Sequence, residues 1–105
     1  MADTRSIEMD GQVVDGALLE RVCRRFGVAE LAVFGSVARG DTTPDSDIDL
    51  LYELAPGARL GFDLFDFEDA LEGLFGRKVD LVSRNAVHRL IRERVLAESV
   101  VVYAA

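Results

Sequence analysis

Three aspartates in the sequence lie within or beside apolar segments, where ionised side chains are unusual. Asp47 and Asp49 come directly before two leucines, and Asp80 lies between a valine and a leucine. A carboxylate in apolar surroundings is costly unless a cation or hydrogen-bond donors compensate its charge. No Lys, Arg or His is adjacent to Asp47 or Asp49, so a bound metal ion is the simplest source of positive charge.

The spacing of these aspartates suits a site for two metal ions. Residues two apart in a strand point to the same face of a sheet, so the side chains of Asp47 and Asp49 are expected side by side. Paired carboxylates of this kind can hold two Mg²⁺ ions about 3.5 to 4 Å apart. Asp80, on a neighbouring predicted strand, is the candidate third ligand.

A simpler interpretation of the three aspartates needs no metal. Asp47 could end a loop through a local side-chain turn, Asp49 could be an ordinary edge residue, and Asp80 could pair with a nearby basic residue. The basic residues near Asp80 are Arg77, Lys78 and Arg84. Each aspartate taken singly fits this interpretation better, whereas the three taken together favour a metal site.

A glycine and a serine follow the apolar run that precedes these aspartates. At Gly35 the missing Cβ lets a phosphate approach the backbone, and the Ser36 hydroxyl with free N–H groups can bind phosphate oxygens. The alternative is an ordinary turn, which the dipeptide alone would favour. Gly35 and Ser36 therefore become candidate anion-binding residues only in combination with the carboxylates.

Two other binding motifs fail on the same segment. The spacing of Gly35 and Gly40 is that of a P-loop, but Asp41 stands where that loop requires a phosphate-binding lysine. The Asp-x-Asp-x-Asp run that follows imitates an EF-hand calcium loop. That loop requires glycine where Leu50 stands and glutamate where Pro56 stands, so neither motif explains these residues.

Apolar periodicity predicts the elements that must position the candidate residues. They are helices over 15–26 and 62–75, strands over 31–34, 47–53 and 79–82, and a closing strand or extended tail over 100–103. A last helix before this tail is predicted to be capped by Asn85. Its inward-facing residues are predicted to be Val87, Leu90, Ile91 and Val95. Residues 1–14 are predicted to be a lead-in, either a small hairpin at Asp10-Gly11 or a flexible segment. Residues 15–105 are predicted to form one α/β domain, a small mixed sheet with helices packed on it.

The length, net charge and residue counts of the chain exclude several classes of protein and of binding partner. The chain has 105 residues, enough for one domain, and a net charge of -7, the wrong sign for holding nucleic acid. Cys23 is the only cysteine and His88 the only histidine, so an internal disulfide and a zinc cluster are both excluded. No apolar run approaches the roughly 18 residues of a membrane span, and the expected location is the cytoplasm.

The negative charge is concentrated around the candidate site. Residues 41–72 contain ten acidic residues and a single arginine, a local net charge of -9. An anionic ligand would be repelled there unless cations accompany it. The distribution therefore allows a small anion at this segment only if it carries its own cations.

The motifs together resemble the nucleotidyltransferase superfamily related to DNA polymerase β. Phe34-Gly35-Ser36, Asp47-Ile48-Asp49-Leu50 and Val79-Asp80-Leu81 agree with its signature in residue type, order and context. The short length and the runs over 34–40 and 44–50 are similar to the minimal nucleotidyltransferases (MNT). The resemblance covers about residues 18–102 and implies the nucleotidyltransferase fold.

The resemblance also implies roles for individual residues. Gly35 and Ser36 would hold the triphosphate of ATP, and Asp47 and Asp49 would bind two Mg²⁺ ions. Asp80 would help to bind one metal and act as general base toward the acceptor hydroxyl. A further candidate is Arg39, whose guanidinium suits phosphate oxygens but could equally be an exposed residue after a turn.

Minimal nucleotidyltransferases are commonly encoded beside a HEPN-domain protein as the antitoxin of a toxin-antitoxin pair. The resemblance therefore implies transfer of AMP from ATP to a hydroxyl, expected to be a tyrosine of a partner HEPN toxin. Two alternatives remain at this point. One is a non-catalytic antitoxin that masks its partner by contact, and the other is a small-molecule nucleotidyltransferase, for example of antibiotics.

Overall fold

The computed structural model describes residues 6–9, 12–35, 47–87 and 89–105, which contain six strands and three α-helices. The strands are β1 Ser6–Met9, β2 Gln12–Asp15, β3 Val28–Phe34, β4 Ile48–Leu54, β5 Val79–Ser83 and β6 Val100–Ala104, and the helices are α1 Gly16–Arg25, α2 Asp63–Phe75 and α3 Arg89–Glu98. The predicted order of elements is confirmed. None of these helices has both the length and the apolar character needed to cross a bilayer.

The strands form two sheets. β1 and β2 pair as an antiparallel hairpin, so the hairpin alternative holds for the start of the chain. The other strands form a four-stranded sheet in the order β5-β4-β3-β6, in which β4 and β5 are parallel and the other pairs antiparallel. This is the predicted mixed sheet, and the closing segment is its edge strand β6.

Helix α1 begins where the sequence predicts. The Asp15 carboxylate accepts hydrogen bonds from the Ala17 and Leu18 N–H groups at 2.9 and 3.3 Å, which satisfies donors that the first turn leaves unpaired. Leu19 and Cys23 are buried on its inner face. Burial raises the pKa of the Cys23 thiol to about 12, because apolar surroundings disfavour the thiolate, which makes Cys23 an inert core residue.

Helix α2 carries the largest part of the core. Phe67, Leu71 and Phe75 are fully buried at the spacing of one helix face. The Phe67 ring contacts those of Phe26 and Tyr52, with ring centroids 5.2 and 6.2 Å apart. The helix ends at Gly76, whose left-handed conformation and N–H bond to the Glu72 carbonyl, 2.8 Å, turn the chain toward β5.

The sheet is covered differently on its two faces. Alternate residues of the central strands, such as Val33 and Leu50, pack in the core with α1 and α2. Val14 of β2 belongs to the same core and is 1% exposed. Ala32 and Leu51 lie on the opposite face, where they line a cleft with Leu96 of α3. The candidate site therefore has one packed face behind it and one more open face.

The last helix differs from the prediction at its start. Asn85 lies inside a 3₁₀ turn, Arg84–Ala86, and Val87 has extended backbone geometry, so Asn85 does not cap α3. A hydrogen bond from the Arg92 guanidinium to the Arg84 carbonyl, 3.2 Å, links the 3₁₀ turn to α3. The apolar pattern alone cannot show such an interruption, because Val87 keeps the helical spacing while its backbone leaves the helix.

Replacing a buried aromatic residue of α2 tests which face forms the core. Phe67→Ala is expected to lower the free energy of unfolding by about 3 to 5 kcal/mol, because it leaves a cavity in a packed interior. The matched control is Phe65→Ala on the same helix; Phe65 is 65% exposed, and the expected loss is under about 0.5 kcal/mol. Urea unfolding of dilute protein, followed by circular dichroism, measures both. Equal losses would contradict this packing.

Candidate active site

Three of the predicted site residues meet at one end of the neighbouring strands β3, β4 and β5. We call this end of the four-stranded sheet the sheet edge. Gly35 directly follows β3, Asp49 is the second residue of β4, and Asp80 is the second residue of β5. The strand register pairs Phe34 with Asp49, and Asp49 with Asp80. Neighbouring strands lie about 4.8 Å apart, so the topology brings together residues that are up to 45 positions apart in the sequence.

Asp49 and Asp80 lie on the same face of the sheet. Ile48 and Leu50 are buried in the core beneath α1 and α2, so alternation along β4 places Asp49 on the opposite face. Residues paired in register on neighbouring parallel strands share a face, which adds Asp80 to the same side. The core residues thereby hold both carboxylates away from the interior.

The predicted burial of the aspartates is corrected by the structure. Asp47, directly before β4, and Asp80 are exposed, whereas Asp49 is half-buried. The reason is that β4 and β5 both begin at this edge, where water reaches the strand ends. The carboxylates therefore need less compensation than their apolar neighbours in the sequence suggest.

The interpretation without a metal requires local partners for Asp47 and Asp80. Among the described residues neither carboxylate takes part in a hydrogen bond or ion pair. Arg84, one of the proposed partners of Asp80, instead pairs with Glu53 at 3.2 Å and with Glu30 at 3.6 Å. Within the described ranges, Asp47 and Asp80 thus keep their carboxylate oxygen atoms available to a cation.

The backbone at Gly35 lies against the Asp49 side chain. Gly35 has a φ of +72°, which side-chain-bearing residues rarely adopt. A Cβ built at Gly35 would overlap the Asp49 Oδ2 atom and lie 3.4 Å from its Cγ. Glycine is therefore required twice, for the backbone conformation and for the space that the carboxylate occupies.

A glutamate that the motifs did not indicate holds the start of β5. The Glu72 carboxylate accepts a hydrogen bond from the Val79 N–H at 3.2 Å, one residue before Asp80. The Ile48 N–H donates to the Lys78 carbonyl at 2.9 Å, which ties the starts of β4 and β5 together. The sequence signal that could have indicated this role is the position of Glu72 in the last turn of the helix, four residues before the terminating Gly76.

Two predicted phosphate-binding residues, Ser36 and Arg39, lie outside the described residues, and so does His88. Gly35 is thus the described member of the predicted anion-binding group. Its position still locates that group, because Gly35 directly follows β3 and touches Asp49. Any ligand that approaches the Gly35 backbone also approaches the carboxylates.

The donor set at this edge fits Mg²⁺. Carboxylate oxygens are the hard ligands that Mg²⁺ prefers, and Mg²⁺ sites commonly use one or two carboxylates with the remainder from phosphate oxygens and water. In the described part of the chain, no three His, Cys, Asp or Glu residues are grouped closely enough to hold a metal ion by themselves. Asp47, Asp49 and Asp80 thus do not form a complete metal site by themselves, and a metal held there would need further ligands such as phosphate oxygens and water.

A cleft of about 210 Å³ lies on the same face of the sheet as Asp49. Its floor includes Leu51, two residues along β4 from Asp49, and Glu53 and Arg84 form part of its rim. Two residues of a strand span about 6 to 7 Å. The carboxylates therefore lie beside a recess between the sheet and α3 and not on a flat surface.

Comparison with known proteins places this chain among the nucleotidyltransferases. A family model described as a nucleotidyltransferase domain matches residues 16–102. Protein adenylyltransferase MntA of Thermococcus cleftensis is 41% identical to the chain over 78 residues, which cover 74% of this chain and 78% of that relative. The range matched by the family model includes all of the motif residues described above.

Two solved structures extend the similarity to the fold. One, provisionally described as a minimal nucleotidyltransferase, is 44% identical with a TM-score of 0.68, covering 80% of this chain and 84% of that one. The other is a tri-AMPylated Shewanella oneidensis HEPN toxin in complex with an MNT antitoxin. It matches with a TM-score of 0.59 at 15% identity, over 86% of this chain and 70% of that one; at this identity the likeness shows the fold alone.

The contact between Gly35 and Asp49 can be tested by comparing two glycines. Gly35→Ala and Gly57→Ala both place alanine at a positive φ, +72° and +84°, but a Cβ at Gly57 meets nothing within 4 Å. Both are expected to lose about 1 to 2 kcal/mol of unfolding free energy. Only Gly35→Ala must displace the Asp49 carboxylate, which a shift of its side-chain ¹³C resonance would report. An unchanged Asp49 resonance would contradict the contact.

Proposed function

The chain belongs to the nucleotidyltransferase domain family, and we propose that it transfers AMP from ATP to a tyrosine hydroxyl of a partner HEPN toxin, which it neutralises as an antitoxin. The observation that carries this proposal is the register of Asp49 with Asp80 beside the Gly35 backbone. This arrangement puts two of the three carboxylates that we propose as metal ligands next to a backbone that phosphate could approach. We propose that the HEPN partner is encoded nearby and that both proteins act in the cytoplasm.

The acceptor and the transferred group are proposed from the relatives. A relative at 41% identity is named a protein adenylyltransferase, which favours a protein acceptor over an antibiotic. In one structural neighbour an MNT antitoxin is in complex with a HEPN toxin that carries AMP groups. We extend to this chain the same class of acceptor and the same transferred group.

The nucleotide is proposed to bind at the sheet edge. Gly35 leaves room for the triphosphate against the backbone, and Ser36 and Arg39 are proposed to bind its oxygens. Asp47 and Asp49 would hold two Mg²⁺ ions, with Asp80 as a further ligand to one of them. When bound, Mg²⁺ supplies positive charge that offsets the repulsion between these carboxylates and the phosphates.

The transfer itself requires a deprotonated acceptor oxygen and a leaving pyrophosphate. Asp80 is proposed to accept the proton of the tyrosine hydroxyl, whose oxygen forms a bond to the α-phosphorus of ATP. The bond from the α-phosphorus to the bridging oxygen breaks, and pyrophosphate leaves with that oxygen. Asp80 is exposed, so a side chain of another protein can reach it.

Removing one carboxylate should abolish transfer without abolishing the complex. With α-labelled ATP, Mg²⁺ and the product of the adjacent gene, Asp47→Asn and Asp49→Asn are each expected to lower labelling of the partner about 100-fold or more. Asp63→Asn, at an exposed residue at the start of α2, the opposite end of the helix from Glu72, should leave labelling unchanged.

Other outcomes of this assay would select the alternatives. Neutralisation of the toxin by Asp49→Asn as effective as by the wild type would show that contact is sufficient and would contradict the antitoxin mechanism proposed. Label on an added aminoglycoside but on neither protein would replace the protein acceptor by a small molecule. Label elsewhere on the partner, but not on tyrosine, would contradict the proposed acceptor group alone.

Nucleotide binding is expected to depend strongly on Mg²⁺, because residues 41–72 carry a local net charge of -9. Calorimetric titration with ATP should show affinity at least about tenfold weaker in excess chelator than in Mg²⁺. Adenosine, which has no phosphate, provides the matched ligand and should bind equally weakly in both conditions. Equal ATP affinity with and without chelator would contradict the proposed role of the carboxylates.

A further inference from the structure

The outer surface of helices α1 and α2 contains an unfilled groove of about 430 Å³. Apolar side chains of both helices line it, among them Leu18, Val22 and Leu74. Leu18 recurs with Leu19, Val22 and Phe26 at helical spacing, the pattern typical of a buried face, yet it is 43% exposed. The described residues thus leave apolar surface of α1 uncovered. Exposed apolar surface of this kind commonly marks an interaction site.

One wall of the groove is basic in an otherwise acidic chain. Arg21 and Arg25 line it, four residues apart on α1. Arg24 on the same helix pairs with Glu20 at 2.8 Å, but Arg21 has no ion pair among the described residues, and Arg25 lies over the Phe26 ring at 5.1 Å. The groove therefore offers two positive charges next to apolar surface.

A glycine in the middle of α2 opens the groove further. Glycine weakens the interior of a helix relative to alanine, and Gly73 has neither a positive φ nor a neighbour within 4 Å of where its Cβ would lie. The fold of the single chain gives no reason for it. The missing side chain leaves space in the groove wall for a side chain from another molecule.

The outer surface of α2 presents the complementary chemistry. Phe62 is 91% exposed and Phe65 is 65% exposed. Asp66 and Asp69 follow them at helical spacing, are exposed, and form no ion pair among the described residues. We call Phe62, Phe65, Asp66 and Asp69 the acidic stripe.

The acidic stripe and the α1 wall of the groove have the same spacing and opposite charge. The wall residues are Leu18, Arg21, Val22 and Arg25. Each set occupies positions i, i+3, i+4 and i+7 of one helix face and combines two apolar with two charged side chains. Such surfaces on one chain are suited to a twofold interface, in which each copy supplies both halves.

We propose that two copies of this chain associate through these helices, with the acidic stripe of each copy seated in the groove of the other. The exposed rings of Phe62 and Phe65 of each copy then meet the apolar groove of its partner, where the absent side chain of Gly73 leaves space. Asp66 and Asp69 face Arg21 and Arg25 across the interface.

Charge reversal tests this interface independently of any enzymatic activity. Wild-type protein should sediment as a concentration-dependent dimer that dissociates in high salt. Arg21→Glu with Arg25→Glu, and separately Asp66→Arg with Asp69→Arg, should each raise the dimer dissociation constant about tenfold or more. Arg24→Glu is the matched control on α1, outside the groove, and should leave the dissociation constant within about twofold.

Mixing the two double variants provides the decisive measurement. In the mixed pair the reversed groove of one variant meets the reversed stripe of the other, and the two unchanged halves pair as in the wild type. A heterodimer of wild-type strength should therefore form, while each variant alone remains monomeric. Gly73→Leu should also weaken the dimer without lowering the Tm of the dilute monomer, because a Cβ at that position meets no described atom within 4 Å.

Several results would overturn the proposal. Wild-type protein that is monomeric at high concentration excludes the dimer, and failure of the mixed variants to associate excludes the proposed pairing. A lower Tm for the dilute Gly73→Leu monomer than for the dilute wild-type monomer would show that the groove is filled by its own chain. If the wild type is monomeric and the charge-reversal variants bind the adjacent-gene product more weakly than it does, the groove is a binding site for that protein.

Discussion

The close approach of the Gly35 backbone to the Asp49 carboxylate is the contact on which the site depends. It requires a positive φ at the end of β3, no side chain at that position, and antiparallel pairing that places Phe34 opposite Asp49. Parallel pairing of β4 with β5 then adds Asp80 on the same face. A phosphate that reaches the glycine backbone must also come close to the carboxylates, which makes a cation necessary.

The remainder of the fold keeps this edge of the sheet in place. α1 and α2 cover the inner face through a core centred on Phe67, and alternation along β4 then leaves Asp49 facing outward. The Glu72 carboxylate connects the end of α2 to the start of β5, next to Asp80. Packing far from the carboxylates therefore determines which way they point.

The excess negative charge has two distinct consequences. At the sheet edge Asp47 and Asp80 are exposed and unpaired among the described residues, which suits them to a cation. On the outer side of α2 the same excess forms the acidic stripe, whose complement is the pair of arginines on α1. A single net charge of -7 thus describes two surfaces with different chemistry.

The sequence by itself determined the order of elements, the mixed α/β sheet, the Asp15 cap and the motif of glycine and aspartates, because these depend on local periodicity and residue type. Only the tertiary structure decided that Asp49 and Asp80 lie in register and that Asp80 is exposed. Strand register and solvent access arise from contacts between distant segments. The interruption at Val87 and the exposure of Phe62 and Leu18 also required the fold, because helical spacing is the same whether or not another element covers the face.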